Sequence, residues 1–218
     1  MKGQKMRATK ADWRSKYDFV DSFREGRARV RQDGKYFHIL PDGTPAYAAR
    51  YDSVGSFREG RARVVQDKKE FHILHDGTPA YAARYDAVDP FHEDRARVRQ
   101  KGKEFHILHD GTPAYVERYD FVDSFREGKA QAQQDGKEFH ILHDGTPAYV
   151  ERYDFVGSFH EGRARVRQDW KEFHLLHDGT PAYVERYDFV DSFHEGRARV
   201  RQKGKEFHID HNGKRIEE

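Results

Sequence analysis

The chain has 218 residues, 40 of them basic and 38 acidic, for a formal charge of +2. A balance so near neutrality provides no long-range field to gather nucleic acid or an anionic membrane, and the absence of cysteine removes disulfide frameworks and thiolate zinc sites. No apolar run approaches the length of a membrane span, and the basic start MKGQKMRATKADWRSK lacks the apolar centre of a secretory signal, so a cytoplasmic protein is expected.

Hydrophobic and charged residues each make up 36% of the sequence, a proportion that would read as disorder if the apolar residues were scattered. They recur in register instead. Tyr17, Tyr51, Tyr85, Tyr119, Tyr153 and Tyr187 open six copies of a 34-residue unit, YDxVxxFxEGxAxVxQxGKxFHILxDGTPAYxxR, the signature of a tandem array. No break in composition separates the copies. The organisation is therefore residues 1–16 as an N-terminal extension and capping strand, 17–213 as a six-repeat β array, and 214–218 as a C-terminal cap. Residues 1–7 have no counterpart in the repeat and read as a frayed start. Trp13 falls one period before Tyr47, so residues 11–16 are predicted to form the closing strand of a missing earlier copy, with Trp13 capping the first repeat.

In copy one, GRARVRQ at 26–32 alternates small or apolar with basic residues, the pattern of a half-buried strand. Asp33-Gly34 supplies a two-residue hairpin turn, and KYFHIL at 35–40 the second strand. That loop length predicts Val30 opposite Phe37, Ala28 opposite Ile39, Arg29 opposite His38 and Arg31 opposite Tyr36. A second two-residue turn at Asp42-Gly43 would lead into a third strand at 44–48, with Ile39 facing Ala46 and His38 facing Tyr47. A short fourth strand is expected near 51–54. Copies two and five carry Asp67-Lys68 and Asp169-Trp170 at the first turn, where a non-glycine residue at positive φ costs on the order of 1 kcal/mol, so another turn type is expected there. Phe23, Ala28, Val30, Phe37, Ile39 and Ala46, with their period-related copies, are the predicted core.

The run Phe-x-Glu-Gly-x-Ala-x-Val, followed by Gly-Lys, Asp-Gly and Arg-Tyr-Asp across residues 17–213, resembles the bacterial WG-repeat family, also called KWG repeats. In that family a Trp-Gly pair follows the Gly-Lys; here those places hold Tyr36-Phe37 or Glu104-Phe105, and no role tied to that Trp carries over. The resemblance implies a β-hairpin repeat with an interaction or scaffolding role and no catalytic residue.

The strand face opposite the apolar one gives a candidate binding surface: Arg29, His38 and Tyr47, then Arg63, His72 and Tyr81, then Arg97, His106 and Tyr115, and Arg165, His174 and Tyr183. Copy four interrupts the arginine stripe with Lys129, Gln131 and Gln133. Glu104 opposite Arg99 and Glu172 opposite Arg167 favour a self-neutralising ladder, worth about 0.2 to 1 kcal/mol per pair. No metal and no cofactor is expected. Equivalent histidines on stacked sheets sit about 10 Å apart, whereas zinc ligands lie within about 2.1 Å of the ion, so bonding to Tyr or Arg across the ladder is the better role. His75, His109, His143 and His177, and His92, His160 and His194, read as solvated turn residues. The repeated glutamates from Glu25 to Glu195 point to turn or inter-repeat bonding, because acid–base catalysis needs one asymmetric constellation; the aspartates of the Tyr-Asp pairs are expected to pair with the preceding Lys16 or Arg50.

The expected fold is all-β: six β-meander units in tandem, an open solenoid preferred to a closed six-bladed propeller, whose blades normally need four strands and about 40 or more residues. The expected function is non-catalytic, a repeat scaffold that binds a protein partner. A carbohydrate or small-ligand binder with aromatic notches around Tyr47 and Tyr81 is the alternative from another class. Nucleic-acid binding is disfavoured by net charge, no membrane association is expected, and exposed terminal edges favour self-association.

Overall fold

A computed structural model describes residues 13–217; the predicted frayed start at 1–7 lies outside the described residues. These fold into six three-stranded antiparallel sheets, each a meander in chain order. Two compact units divide the chain, residues 1–84 with two sheets and 85–218 with four. In the first sheet, β1 (Phe19–Arg24), β2 (Arg27–Gln32) and β3 (Lys35–Ile39) lie side by side. The β2–β3 pairing has the predicted register throughout, with Ala28 opposite Ile39, Arg29 opposite His38, Val30 opposite Phe37 and Arg31 opposite Tyr36.

Both turns of this meander place two successive residues at positive φ, 48° and 71° at Glu25-Gly26 and 51° and 75° at Asp33-Gly34. That is the turn geometry whose twist matches paired strands. Asp67-Lys68 and Asp169-Trp170 adopt it as well, at 52° and 61° and at 50° and 65°, so the different turn expected there does not occur. The two-residue loop between fully paired strands dictates the backbone, and Lys68 and Trp170 bear the strain.

The third strand of each sheet is not the predicted one. It precedes the hairpin: β1 in the first sheet, Ser53–Val54 in the second, and Ala87–Val88, Phe121–Val122, Phe155–His160 and Phe189–Val190 in the rest. This is the segment expected as a short fourth strand. The TPAY segment makes only an isolated bridge, Ile39 to Pro45. The loop before it is one residue longer than predicted, spanning 41–43: the Leu40 N–H donates to Thr44 O at 2.8 Å and the Ala46 N–H to His38 O at 2.9 Å. Gly43 takes φ 84°, and the Asp42 carboxylate accepts from the Thr44 N–H at 2.9 Å and hydroxyl at 2.7 Å, which closes the loop around a left-handed glycine. The extra residue shifts the pairing by one, so Ile39 meets Pro45 and not Ala46.

Within each unit, successive sheets are stitched by the Tyr that opens the later repeat. Tyr51 exchanges two backbone hydrogen bonds with Tyr36 on β3, at 2.9 and 3.0 Å, and its hydroxyl donates to Gly77 O at 2.9 Å. Tyr119 does the same with Glu104 and Gly145. The other tyrosine, that of TPAY, lies against the glycine of the next repeat's turn within each unit. A methyl group added to Gly77 would stand 2.3 Å from Tyr47 Cγ, and one on Gly145 2.3 Å from Tyr115 Cγ. Trp13 takes this role for Gly43, at 2.2 Å. Residues Trp13–Lys16 form a single 3-10 turn and not the predicted strand, although the aromatic cap is where the period places it.

The core follows the predicted alternation at Ala28, Val30, Phe37 and Ile39 and at their copies, except that Phe207 in the last sheet is half-buried. Phe23 is 37% exposed, packed edge-on against Trp13 where its copies Phe57 and Phe125 lie against the histidine of the repeat before, and Ala46 is half-buried. Tyr47, Tyr51 and Val54 are buried in addition.

Two consequences are measurable by urea unfolding. Lys68→Gly and Trp170→Gly should each stabilise by about 1 kcal/mol, since the strain is relieved and the 89% exposed Trp170 forfeits no packing. Gly34→Ala, with nothing near the new methyl, should cost about 1 kcal/mol, whereas Gly77→Ala should cost roughly 3 kcal/mol or more, because backbone and ring must both shift.

Candidate functional site

The twelve candidate surface residues separate by side-chain type. His38, His72, His106 and His174 are at most 1% exposed, and the tyrosines Tyr47, Tyr81, Tyr115 and Tyr183 are also buried. Their predicted place on an open face is corrected. The face is polar by alternation, yet in the first unit the next repeat covers it with Phe57, whose ring lies 4.7 Å from that of His38. In the second unit Phe125 covers His106 at 4.6 Å and Phe193 covers His174 at 4.6 Å.

Each buried histidine is fully bonded where both partners fall within one unit. His38 Nδ1 lies 2.5 Å from the Tyr47 hydroxyl and Nε2 2.9 Å from Gly55 O. Since a carbonyl can only accept, the proton is on Nε2 and the Tyr47 O–H donates to Nδ1. His106 and His174 repeat this with Tyr115 and Asp123 O and with Tyr183 and Asp191 O. Burial pushes His38, His140 and His174 down to about 4 and His106 to about 3, and pushes the Tyr47 and Tyr115 hydroxyls up. A neutral imidazole locked between a hydroxyl and a carbonyl is a structural pin with no lone pair for a metal.

The arginines of the same face stay half-exposed but are engaged. Arg29 pairs with Asp21 at 3.0 Å and reaches Val54 O, Arg97 pairs with Asp89 at 2.7 Å and reaches Val122 O, and Arg63 forks onto Glu70. Arg165 reaches Val190 O at 3.3 Å and borders an open cleft of about 400 Å³ with Asp191, Arg197 and Arg199. The ladder is self-neutralising, with pairing that runs diagonally, Arg97 to Glu104 at 3.7 Å, beside the register pair Arg99–Glu104.

Other charged groups also depart from expectation. Asp52 binds the ammonium of Lys35 at 2.6 Å and accepts the Asp67 N–H at 3.1 Å, not Arg50 as the sequence order suggested. The mutual hydrogen bond raises Lys35 and lowers Asp52. The predicted turn-and-linking role suits Glu25, which accepts the Gly60 N–H at 3.0 Å, and Glu161, which accepts the Gly196 N–H at 3.0 Å. His109 and His177, expected in solvent, stack on Phe91 and Phe159 at 4.2 Å, and His75 packs tilted against Phe57 at 4.3 Å. His160 and His194 are exposed as predicted.

Arg50 turns inward, its Cζ 3.5 Å from the centre of the Phe37 ring, and its Nη1 lies within 3.0 Å of the carbonyl oxygens of Tyr47, Ala48 and Ala49. Arg118, Arg152 and Arg186 hold the equivalent loops of the second unit. Each of those loops carries Val-Glu where copies one and two have Ala-Ala. Val116, Val150 and Val184 are 88%, 89% and 90% exposed, the most exposed aliphatic side chains among the described residues. These are the functional candidates that the periodic pattern passed over. The available signal was an apolar residue in a turn-like segment, at a position where the copies disagree.

The histidine pins make stability pH-dependent. The unfolded chain binds a proton on each histidine below about pH 6.5, while the folded chain resists it down to about pH 4. Their stabilising contribution is thus present above pH 6.5 and lost as pH falls through 4. Unfolding at pH 5.5 should take up close to one proton per pinned histidine, and the unfolding free energy should fall by about 1.4 kcal/mol per pH unit for each. Calorimetry in buffers of different ionisation heat counts the protons; an uptake below one per molecule would contradict the assignment.

No curated protein matches the chain. Among solved structures it is similar to Hsv2 of Kluyveromyces lactis, at 10% identity over 88% of this chain and 74% of that one with a TM-score of 0.45. It is likewise similar to Hsv2 of Kluyveromyces marxianus, at 9% identity over 89% and 72% with a TM-score of 0.48, and to YCF48 bound to a D1 peptide, at 10% over 90% and 79% with a TM-score of 0.41. No helix among the described residues is long and apolar enough to cross a membrane. The family model for the WG containing repeat matches residues 15–36, 41–69, 75–103, 117–137, 151–171 and 185–205, once for each of the six meanders, and the chain belongs to that family.

Proposed function

We propose that this chain is a non-catalytic binding module that engages a protein partner through the valine tips of residues 85–218. The observation that carries the reading is the near-complete exposure of Val116, Val150 and Val184 on loops whose backbones are already fixed by Arg118, Arg152 and Arg186. An apolar side chain held in water on an ordered loop gives up little further entropy on docking, and burying each valine provides roughly 1.5 kcal/mol or more. Glu117, Glu151 and Glu185 follow the valines in sequence, so the fitting partner offers shallow apolar pockets rimmed by lysine or arginine.

The carbohydrate alternative loses the rings it depended on. Tyr47 and Tyr81 are buried, and the Tyr47 hydroxyl is committed to His38 and the Tyr81 hydroxyl to His72. Against the nucleic-acid alternative, Arg29, Arg63 and Arg97 are already paired with Asp21, Glu70, Asp89 and Glu104.

The triple variant Val116→Asp, Val150→Asp, Val184→Asp should keep its unfolding free energy within about 0.5 kcal/mol, as exposed sites do. Proteins captured by the wild-type chain should be lost, with each single substitution weakening the isolated partner about tenfold. Undiminished affinity of the triple variant for that partner would overturn the reading.

A further inference from the structure

Copy four departs from the repeat at a chemically consequential place. The residue that follows the Glu-Gly turn, or Glu-Asp in copy three, is arginine in five copies, Arg27, Arg61, Arg95, Arg163 and Arg197, and lysine in one, Lys129. An array of identical units cannot assemble an asymmetric reactive group, and this substitution creates one. Lys129 Nζ lies 3.2 Å from Nδ1 of His177, and Nε2 of the same ring lies 3.3 Å from the Glu127 carboxylate.

The geometry assigns the protons. Nε2–H donates to the carboxylate, which leaves the Nδ1 lone pair directed at the amine. The ring cannot swing away, because it is stacked on Phe159 with centroids 4.2 Å apart and planes 8° from parallel. Glu127 is held in turn by the Gly162 N–H at 3.1 Å. The sequence amine, imidazole and carboxylate, each oriented by the next, is the arrangement that activates a nucleophile. An arginine in this place cannot serve, since its guanidinium does not deprotonate.

Lys129 is half-buried, and its Nζ lies 5.6 Å from the centre of the Phe159 ring. Desolvation lowers its pKa, opposed by Asp178; the buried His140 and the half-buried His177 are the titratable rings that face it. Lys35, Lys103 and Lys137 have the reverse setting. Each is salt-bridged to an aspartate at 2.5 to 2.6 Å, and that hydrogen bond raises its pKa. The chain therefore carries its own controls.

We propose that Lys129 is a reactive amine and the site at which acyl thioesters modify this chain in preference to its other lysines. The neutral Nζ adds to the thioester carbonyl carbon; the new N–C bond forms as the C–S bond breaks. The proton lost by nitrogen passes to His177 Nδ1, where Glu127 stabilises the imidazolium, and from there to the departing thiolate. Amine and thioester become amide and thiol, with no oxidant, reductant or metal. Acylation removes the positive charge that Lys129 carries when protonated.

The test exposes the intact chain to a limiting amount of the acetyl thioester of N-acetylcysteamine and follows each lysine by peptide mass spectrometry. Lys129 should react about tenfold or more faster than Lys103 and Lys137, with a rate that rises at lower pH than theirs. His177→Phe keeps a ring on Phe159 while removing the acceptor, and should bring Lys129 down to the rate of Lys137. A wild-type Lys129 no faster than Lys137 would overturn the proposal, and that comparison requires no variant to fold. So would a folded His177→Phe chain that keeps the selectivity.

Discussion

The contact on which the rest of this molecule depends is that of a tyrosine ring with a glycine one repeat later. Tyr47 lies so close to Gly77 that a single added carbon would collide with it, and its hydroxyl is tied back to His38 in its own repeat. The histidine in turn donates to Gly55 of the following repeat. One ring and one imidazole thus fix the separation and the angle between two small sheets, neither of which could bury both faces alone. Trp13 performs the same service for Gly43 at the start of the described chain, which is why an aromatic residue persists there while the strand around it does not.

This arrangement commits both ring nitrogens of the buried histidines to partners within the protein. A sheet of three short strands has two faces to cover, and the Phe of the next repeat covers the one that alternation marks as polar. Buried imidazole is tolerated there because its two nitrogens meet a hydroxyl and a carbonyl within 3.0 Å, so its desolvation is offset by bonds in full. The cost is deferred to acid, where the same nitrogens would have to take a proton they have no place for.

Local geometry was legible in the sequence where chain connectivity dictates it. A two-residue loop admits one register, and Val30 does face Phe37 across it. The third strand was not legible, because the decision between a loop of two residues and one of three turns on Leu40, which pairs with Thr44 when the left-handed Gly43 closes the loop. Burial on the second face was hidden for a different reason. Period-two alternation reports what one sheet prefers, and says nothing about the following repeat, whose Phe57 covers His38 and whose Gly55, 17 residues on, accepts its hydrogen bond.

The candidate site shows the same division more sharply. Arg29, His38 and Tyr47 recur in most copies because each copy must solve the same packing problem, and recurrence in a repeat protein is the mark of a structural duty. The positions that carry chemistry of their own are those where copies differ while the backbone does not. Val116 replaces Ala48 on a loop that arginine holds in both. Lys129 replaces an arginine beside a histidine that packs on a phenylalanine ring in the other copies too, stacked at His109 and tilted at His75 and His143. A scaffold that keeps its backbone through such exchanges can vary one side chain at a time without renegotiating its fold, and that freedom is what six near-identical meanders give this chain.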